Sequence, residues 1–415
     1  MKSSVTRRDR CRLCDGKHLE LVLPIAASPI ADAYVPRERL GEKQDAYPLD
    51  LYLCTDCGHV QNIDVVDPEI LFRDYIYVTS SSLGLVEHYR RYADEVMSQF
   101  DVKPDALALE IGSNDGSLLG FFKAKGLKVL GVDPARRIAE EATARGIPTL
   151  PEFFGSKLAE TLRKEHGPAS IIAANNVFAH ADNLAEIVQG IRTMLDDDGV
   201  FIFEVSYLPD IVDRFLFDTV YHEHVSYHSI VPLTRFFERL GMQLFDVQRI
   251  NSKGGSIRGF AQRAPEGRHA VTSRVKELIA EENRRGFHQP AIYREYGAAI
   301  EARKAAVAKV VDEARARGKT VAGYGASTTV TTLMWHFDLT QKLEFLVDDN
   351  PFKHGLFAPK CHLPVLSSEE LYTRRPDYVV ILAWNFSDPI MKRHQRYVDE
   401  GGTFVIPLPE LKVVS

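Results

Sequence analysis

The sequence predicts an α/β protein in which two doubly wound, largely parallel sheets follow a small metal-bearing module. Three patterns predict it. Strand-like and helix-like segments alternate from about residue 106 to 263, they alternate again from 320 to 406, and two Cys-x-x-Cys pairs fall before residue 58. At 415 residues the chain is too long for one hydrophobic core and has room for two or three domains.

The first block covers residues 1–78. Cys11 and Cys14 form one pair, Cys54 and Cys57 the other, around a stretch rich in Pro, Ala and Tyr. In a reducing compartment such pairs are better explained by a metal than by disulfides. A zinc-ribbon-like arrangement follows, each knuckle giving two thiolates to a tetrahedral, closed and therefore structural Zn2+ site. A block this small has little apolar content for a core, so metal binding would supply much of its folding free energy. Cys361 stands alone and reads as an ordinary thiol.

The second block, 79–316, opens with an amphipathic helix at 84–100. Strands at 106–111, 128–132, 169–174 and 199–204 then alternate with helices at 116–125, 135–145, 184–195 and 232–240. Segments 243–250 and 258–263 supply two closing strands, an antiparallel pair. Charged helices at 273–284 and 294–317 bridge to a smaller Rossmann-like block, 317–415, with strands at 320–324, 342–347, 378–383 and 403–406. The net charge of −6 gives no overall basic field to attract nucleic acid or anionic lipid. No apolar run approaches the roughly 18–20 residues of a membrane span, and no hydrophobic segment follows the basic N-terminus. A cytoplasmic enzyme is the expectation, without nucleic-acid or membrane partners; the oligomeric state stays open, a monomer included.

The stretch Glu110-Ile111-Gly112-Ser113-Asn114-Asp115-Gly116 ends a strand, turns tightly and starts a helix. Gly112 and Gly116 let backbone approach a ligand, and the helix N-terminus offers oriented N–H groups. The next strand ends at Asp133-Pro134, an acid where a ribose diol would sit, and Asn175-Asn176 ends the third at the same rim. A dinucleotide fold would prefer G-x-G-x-x-G, so the expected cofactor is S-adenosylmethionine (SAM), on the doubly wound sheet of SAM-dependent methyltransferases.

The nonapeptide Tyr221-His222-Glu223-His224-Val225-Ser226-Tyr227-His228-Ser229 concentrates acid–base groups. It reads as a polar loop or a metal cluster in the blander interpretation, but adjacent Glu and His chelate poorly together. Carbon methylation gives it a purpose: a carbon beside a carbonyl becomes a nucleophile only after a base removes its proton. Histidine titrates near neutrality, and tyrosine hydroxyls can stabilise an enolate oxygen. His180, at the rim beyond Asn176, and Tyr75 and Tyr77, in the connection between the first two blocks, are further candidates. Gly323-Tyr324-Gly325-Ala326-Ser327 and Ser252-Lys253-Gly254-Gly255-Ser256-Ile257-Arg258 could each cradle phosphate or simply turn the chain.

These residues together resemble the sugar C-methyltransferases of deoxysugar biosynthesis, which carry an N-terminal zinc-binding domain and a C-terminal Rossmann-like domain. The likeness spans essentially the whole chain and rests on the two cysteine pairs, EIGSNDG, NNVFAH, YHEHVSYHS, KGGSIRGF, GYGAS, VDDNPFKHG and ILAWNF. It implies a nucleoside-diphosphate 4-keto-deoxysugar as substrate, methylated at C-3. His224 would be the base, with Glu223 and Tyr221 orienting it or holding the keto oxygen, and His180, Tyr75 and Tyr77 lining the pocket. The nucleotide would lie near Lys253, Ser256, Arg258, Tyr324 and Ser327. Where relatives often carry Lys after GYGAS, this chain has Thr328-Thr329-Val330-Thr331. Three other readings compete: small-molecule O-methylation on the same scaffold, a zinc-ribbon nucleic-acid-modifying protein, and an NAD(P)-dependent sugar oxidoreductase. The acidic balance counts against the second.

Overall fold

The computed structural model describes residues 4–72 and 78–415, with the backbone only of Ser81, Leu83 and Lys253. Strands β1 (Val5–Arg7), β2 (Leu19–Leu23), β3 (Leu51–Cys54), β4 (Val60–Asn62) and β5 (Asp64–Val66) build the N-terminal module. β1 pairs with β5, while β2, β3 and β4 form an antiparallel sheet. Tyr75 and Tyr77 lie outside the described residues.

The central sheet takes β6 (Leu107–Ile111), β7 (Lys128–Val132), β8 (Thr149–Leu150), β9 (Ala169–Asn175) and β10 (Leu195–Ser206) as parallel strands. After a two-residue strand, β11 (Ser226–Tyr227), the antiparallel β12 (Met242–Ile250) and β13 (Ser256–Arg263) complete it in the order β12-β13-β10-β9-β6-β7-β8. Helices cover both faces, which is why β6 is buried at every residue and reads as a nearly continuous apolar run. β11 does not join this sheet. It pairs with β4, Ser226 opposite Gln61 and Tyr227 opposite Val60, as the fourth strand of the N-terminal module.

The third sheet holds β14 (Val321–Tyr324), β15 (Leu346–Asp348), β16 (Val365–Ser367), β17 (Tyr378–Ile381) and β18 (Thr403–Ile406), all parallel, with an antiparallel edge β19 (Lys412–Val414). Its first turn repeats that of the central sheet. Gly325 N–H donates to Val347 O at 2.8 Å, as Gly112 N–H does to Val132 O at 2.7 Å. Asp348 accepts from Ala326 N and Asn350 N at 2.6 and 2.8 Å, as Asp133 does from Asn114 N and Ala135 N at 2.7 and 2.9 Å. In both sheets strand order reverses beside that turn, which leaves a crevice at the carboxyl ends of the strands.

Several elements differ from the sequence pattern, among them β10, which starts at Leu195 and not at 199. The strand expected over 342–347 starts only at Leu346, because Leu343 N–H bonds back to Leu339 O and the preceding residues stay in a turn. Glu344 N–H and Phe345 O already bond to Val321 O and Gly323 N of β14 at 2.9 and 3.0 Å, and Leu343 and Phe345 are buried in the core beside the strand's start. The long bridging helix starts earlier than expected, at Pro290, whose fixed φ suits a first turn. No helix among the described residues is long and apolar enough to cross a membrane.

Candidate active site

The four paired cysteines converge. Cys11 Sγ lies 3.7 Å from Cys57 Sγ and Cys14 Sγ 3.5 Å from Cys54 Sγ, and all four sulfurs fall within 4.8 Å of one another. Tetrahedral Zn2+ with bonds of about 2.3 Å needs sulfurs about 3.8 Å apart, so the cage fits zinc, with no position left for substrate. Arg12, between two of the ligands, bonds outward to Asp182 at 3.0 Å and to Gln61 at 3.0 Å, which ties the knuckle to the central unit.

A cavity of about 390 Å3 opens at the carboxyl ends of β6, β7 and β9. Gly112, Asn114, Asp133, Pro134, Asn175 and Asn176 line it, while Glu110 and Gly116 do not. Asp133 is held by the two backbone N–H groups named above, which fixes the direction of its carboxylate. Glu110 is buried, and burial pushes its carboxyl well above the usual range; Asn175 Nδ2 donates to it at 3.5 Å. Glu110 Oε2 and Asn175 Oδ1 have no partner among the described residues, so Asn175 presents a buried acceptor at the cavity wall. A lining that mixes polar groups with Ile111, Val132, Phe153, Phe154 and Ile187 suits SAM, with its ammonium, ribose and flat base. Glu152, Phe153 and Phe154 escaped the sequence reading because β8 before them is only two residues long. The only local signal was an aromatic pair after a short apolar run.

Gly112 has φ of +67°, and a Cβ there would come 2.4 Å from Val177 Cγ2 in the cavity wall. Gly112→Ala is therefore expected to weaken SAM binding about tenfold or more in calorimetric titration, through the left-handed strain and the displaced Val177.

The histidines of the nonapeptide separate by environment. His222 and His228 are buried and donate from Nε2 to the carbonyls of Tyr47 (3.2 Å) and Phe178 (2.9 Å); burial lowers each to a pKa of about 4, so both stay neutral. His224 is only partly buried. In its neutral ring Nδ1–H donates to Thr219 O at 2.7 Å, since a carbonyl can only accept, and this leaves the lone pair on Nε2. The Tyr221 hydroxyl donates to that Nε2 at 2.9 Å. The His180 ring centre lies 5.0 Å from that of His224, and His180 lines the cavity of about 390 Å3, stacked on Phe72 at 5.7 Å. His224 and Tyr221 do not themselves line that cavity; His180 stands between. Glu223 is buried beside them. The N-terminal module holds the loop through β4–β11 pairing, Asn62 N–H to Val225 O at 3.1 Å, and the Tyr47–His222 bond.

The residues expected near a nucleotide are not gathered in one cavity. Arg258 is buried, its guanidinium bonded to Glu204 at 2.7 Å and Glu95 at 2.6 Å and set over the Tyr92 ring at 4.1 Å, so its charge is already matched. With His88, Arg91, Asn251 and Ser252 it borders a cavity of about 620 Å3. Ser256 Oγ donates to Ser252 O at 3.0 Å, and of Lys253 only the backbone is described. Tyr324 lines a different cavity, of about 250 Å3, with Gly325, Asp348, Asp349 and Arg393; Ser327 is exposed.

Family models match three stretches: a zinc binding domain over residues 11–72, a methyltransferase domain over 86–247 and a C-methyltransferase C-terminal domain over 251–409. The chain is 34% identical over 421 residues to C-methyltransferase NovU of Streptomyces niveus, spanning 100% of this chain and 99% of that protein. Among solved structures, magnesium protoporphyrin IX methyltransferase (ChlM) of Synechocystis PCC 6803 with bound SAH matches 44% of this chain and 84% of its own, at 13% identity and a TM-score of 0.35. Mitomycin 7-O-methyltransferase MmcR matches 42% and 54%, at 19% identity and a TM-score of 0.32.

Proposed function

The chain belongs to the SAM-dependent C-methyltransferase family, and from that premise we propose that it methylates C-3 of a nucleoside-diphosphate 4-keto-deoxysugar through an enolate. The observation that carries this reading is the state of His224. Its Nδ1–H is tied to the Thr219 carbonyl, and its basic Nε2 accepts from the Tyr221 phenol, which can turn away. Bound SAM supplies an electrophilic methyl group. Nε2 of His224 takes the proton from the carbon beside the ketone, and the Thr219 carbonyl supports the positive ring that results. The Tyr221 hydroxyl, released from Nε2 as substrate enters, donates to the oxygen on which enolate charge develops. His180, between this pair and the cofactor cavity, lines the path between carbon and methyl donor. The repeated turn at Asp348 supports a second nucleoside cleft in the C-terminal unit, where the nucleotide would rest near Tyr324 and Ser327. Glu223, buried beside the base, orients it or holds the keto oxygen.

The test incubates the protein with SAM and a panel of nucleotide-linked 4-keto-6-deoxysugars and follows the products by mass spectrometry. A gain of one methylene on a sugar, and base-dependent uptake of solvent deuterium at its C-3 when methyl transfer is blocked, are expected. No methylene on any sugar with SAM binding intact overturns the substrate class. Methylation without deuterium entry into carbon points to an oxygen nucleophile.

A further inference from the structure

The carbonyl that holds His224 belongs to Thr219, the last residue of a short 3-10 turn, Phe217–Thr219. That turn is gripped by the C-terminal unit. Trp384 Nε1–H donates to Asp218 Oδ2 at 2.8 Å, in a contact closed to solvent. Thr332 Oγ–H donates to the carbonyl of Val220, the next residue after Thr219, at 2.7 Å, again buried. Phe217 stacks on Phe337 with ring centres 5.4 Å apart and meets His336 edge-on at 5.5 Å. Asp218 is buried, and Oδ1 has no partner among the described residues, so the Trp384 bond is the one side-chain bond anchoring it there. An indole, a hydroxyl and two rings from one unit thus fix positions 217, 218 and 220 around the carbonyl that faces the base in another.

We propose that Trp384 and Thr332 are positioning residues for His224: they lock the 217–220 turn so that the Thr219 carbonyl holds the proton on Nδ1 and leaves Nε2 as the basic atom. This rests on the reading of His224 as the base. A neutral imidazole free of that carbonyl populates both tautomers, and in the wrong one Nε2 carries a hydrogen and cannot accept another. Loosening the turn therefore lowers the fraction of competent enzyme without touching the sugar or SAM. The C-terminal unit, beyond offering a cleft of its own, sets the chemistry of a residue in the central unit.

The experiment uses the full-length, zinc-loaded protein labelled with 15N-histidine, with His224 assigned by comparison with His224→Asn, and the variants Trp384→Phe and Thr332→Val. Thr332→Val keeps the shape of the side chain and removes only the donor, while Trp384→Phe keeps an aromatic ring but removes the donor together with part of the indole. In the unaltered protein the His224 ring should show a protonated Nδ1 and a bare Nε2. In each variant it should become a mixture, kcat should fall about tenfold, and the limb of the kcat–pH profile that reports the base should move. KM for the sugar and Kd for SAM should stay within about twofold. If both variants keep the Nδ1–H tautomer, the proposal is overturned, whether kcat is retained or falls, since a fall would then reflect packing alone. If the tautomer moves as expected but His224→Asn still turns over, the positioning stands and the assignment of His224 as base fails, so the two readings are separable. Should Trp384→Phe prove unstable, Thr332→Val alone decides.

Discussion

His224→Asn is expected to fold, bind SAM with unchanged affinity and lose methyl transfer by about a thousandfold, the scale of a positioned general base. Cofactor affinity should survive because His224 does not line the cofactor cavity; His180 does. Stability should change little, since the ring is only partly buried. Asparagine can still donate to the Thr219 carbonyl but offers no atom that accepts a proton near neutral pH. Single-turnover product mass and calorimetric SAM titration on the same preparation separate chemistry from binding. Turnover near that of the unaltered protein would remove His224 from the base role.

The second large effect is expected from Cys54→Ser. Cys54 ends β3 with its thiol 3.5 Å from that of Cys14, and a serine there takes one of four thiolates from the cage. Structural zinc contributes roughly 10–16 kcal/mol in isolated peptides, comparable to or larger than the whole stability of an ordinary domain. The variant should therefore release zinc and melt the N-terminal module well below the rest of the chain. It should also lose activity, although the metal has no open position. β11, which follows His224 almost at once, is a strand of that module's sheet, and His222 is anchored on Tyr47 of the same module. Metal content, a two-stage calorimetric melt and kcat measured together check this. A variant that keeps its zinc and its melting profile shows that the four-cysteine assignment is wrong, and one that loses the module but keeps kcat shows that the loop stands without it.

The two predictions draw on different parts of the legible sequence. The cysteine pairs, the Glu110–Gly116 turn and Asp133 could be read directly because each acts largely over a few residues: two thiolates from one knuckle, a glycine at positive φ, an acid bonded to the Ala135 N–H just past its own strand end. Strand–helix alternation was legible for the same reason, as a periodicity of neighbours. The sequence by itself thus determined the α/β class, the zinc cage, the methyltransferase turn and the concentration of acid–base groups at 221–229.

Tertiary structure decided the rest. Three histidines of like chemistry became two buried, neutral pegs and one half-open ring, because carbonyls of Tyr47, Phe178 and Thr219 happen to face them. Arg258, a phosphate cation by pattern, is spent on Glu204 and Glu95 from two other elements. β11, two residues long, carries too little periodicity to announce that it completes a sheet begun at residue 19. The grip of Trp384 and Thr332 on the turn below His224 spans more than a hundred residues of chain. Local sequence sets what a residue can do, through its side chain and its backbone bias. Burial and hydrogen-bond partners arriving from distant segments set which of those possibilities it keeps, because a polar group taken from water must adopt the protonation state and direction that its new neighbours satisfy.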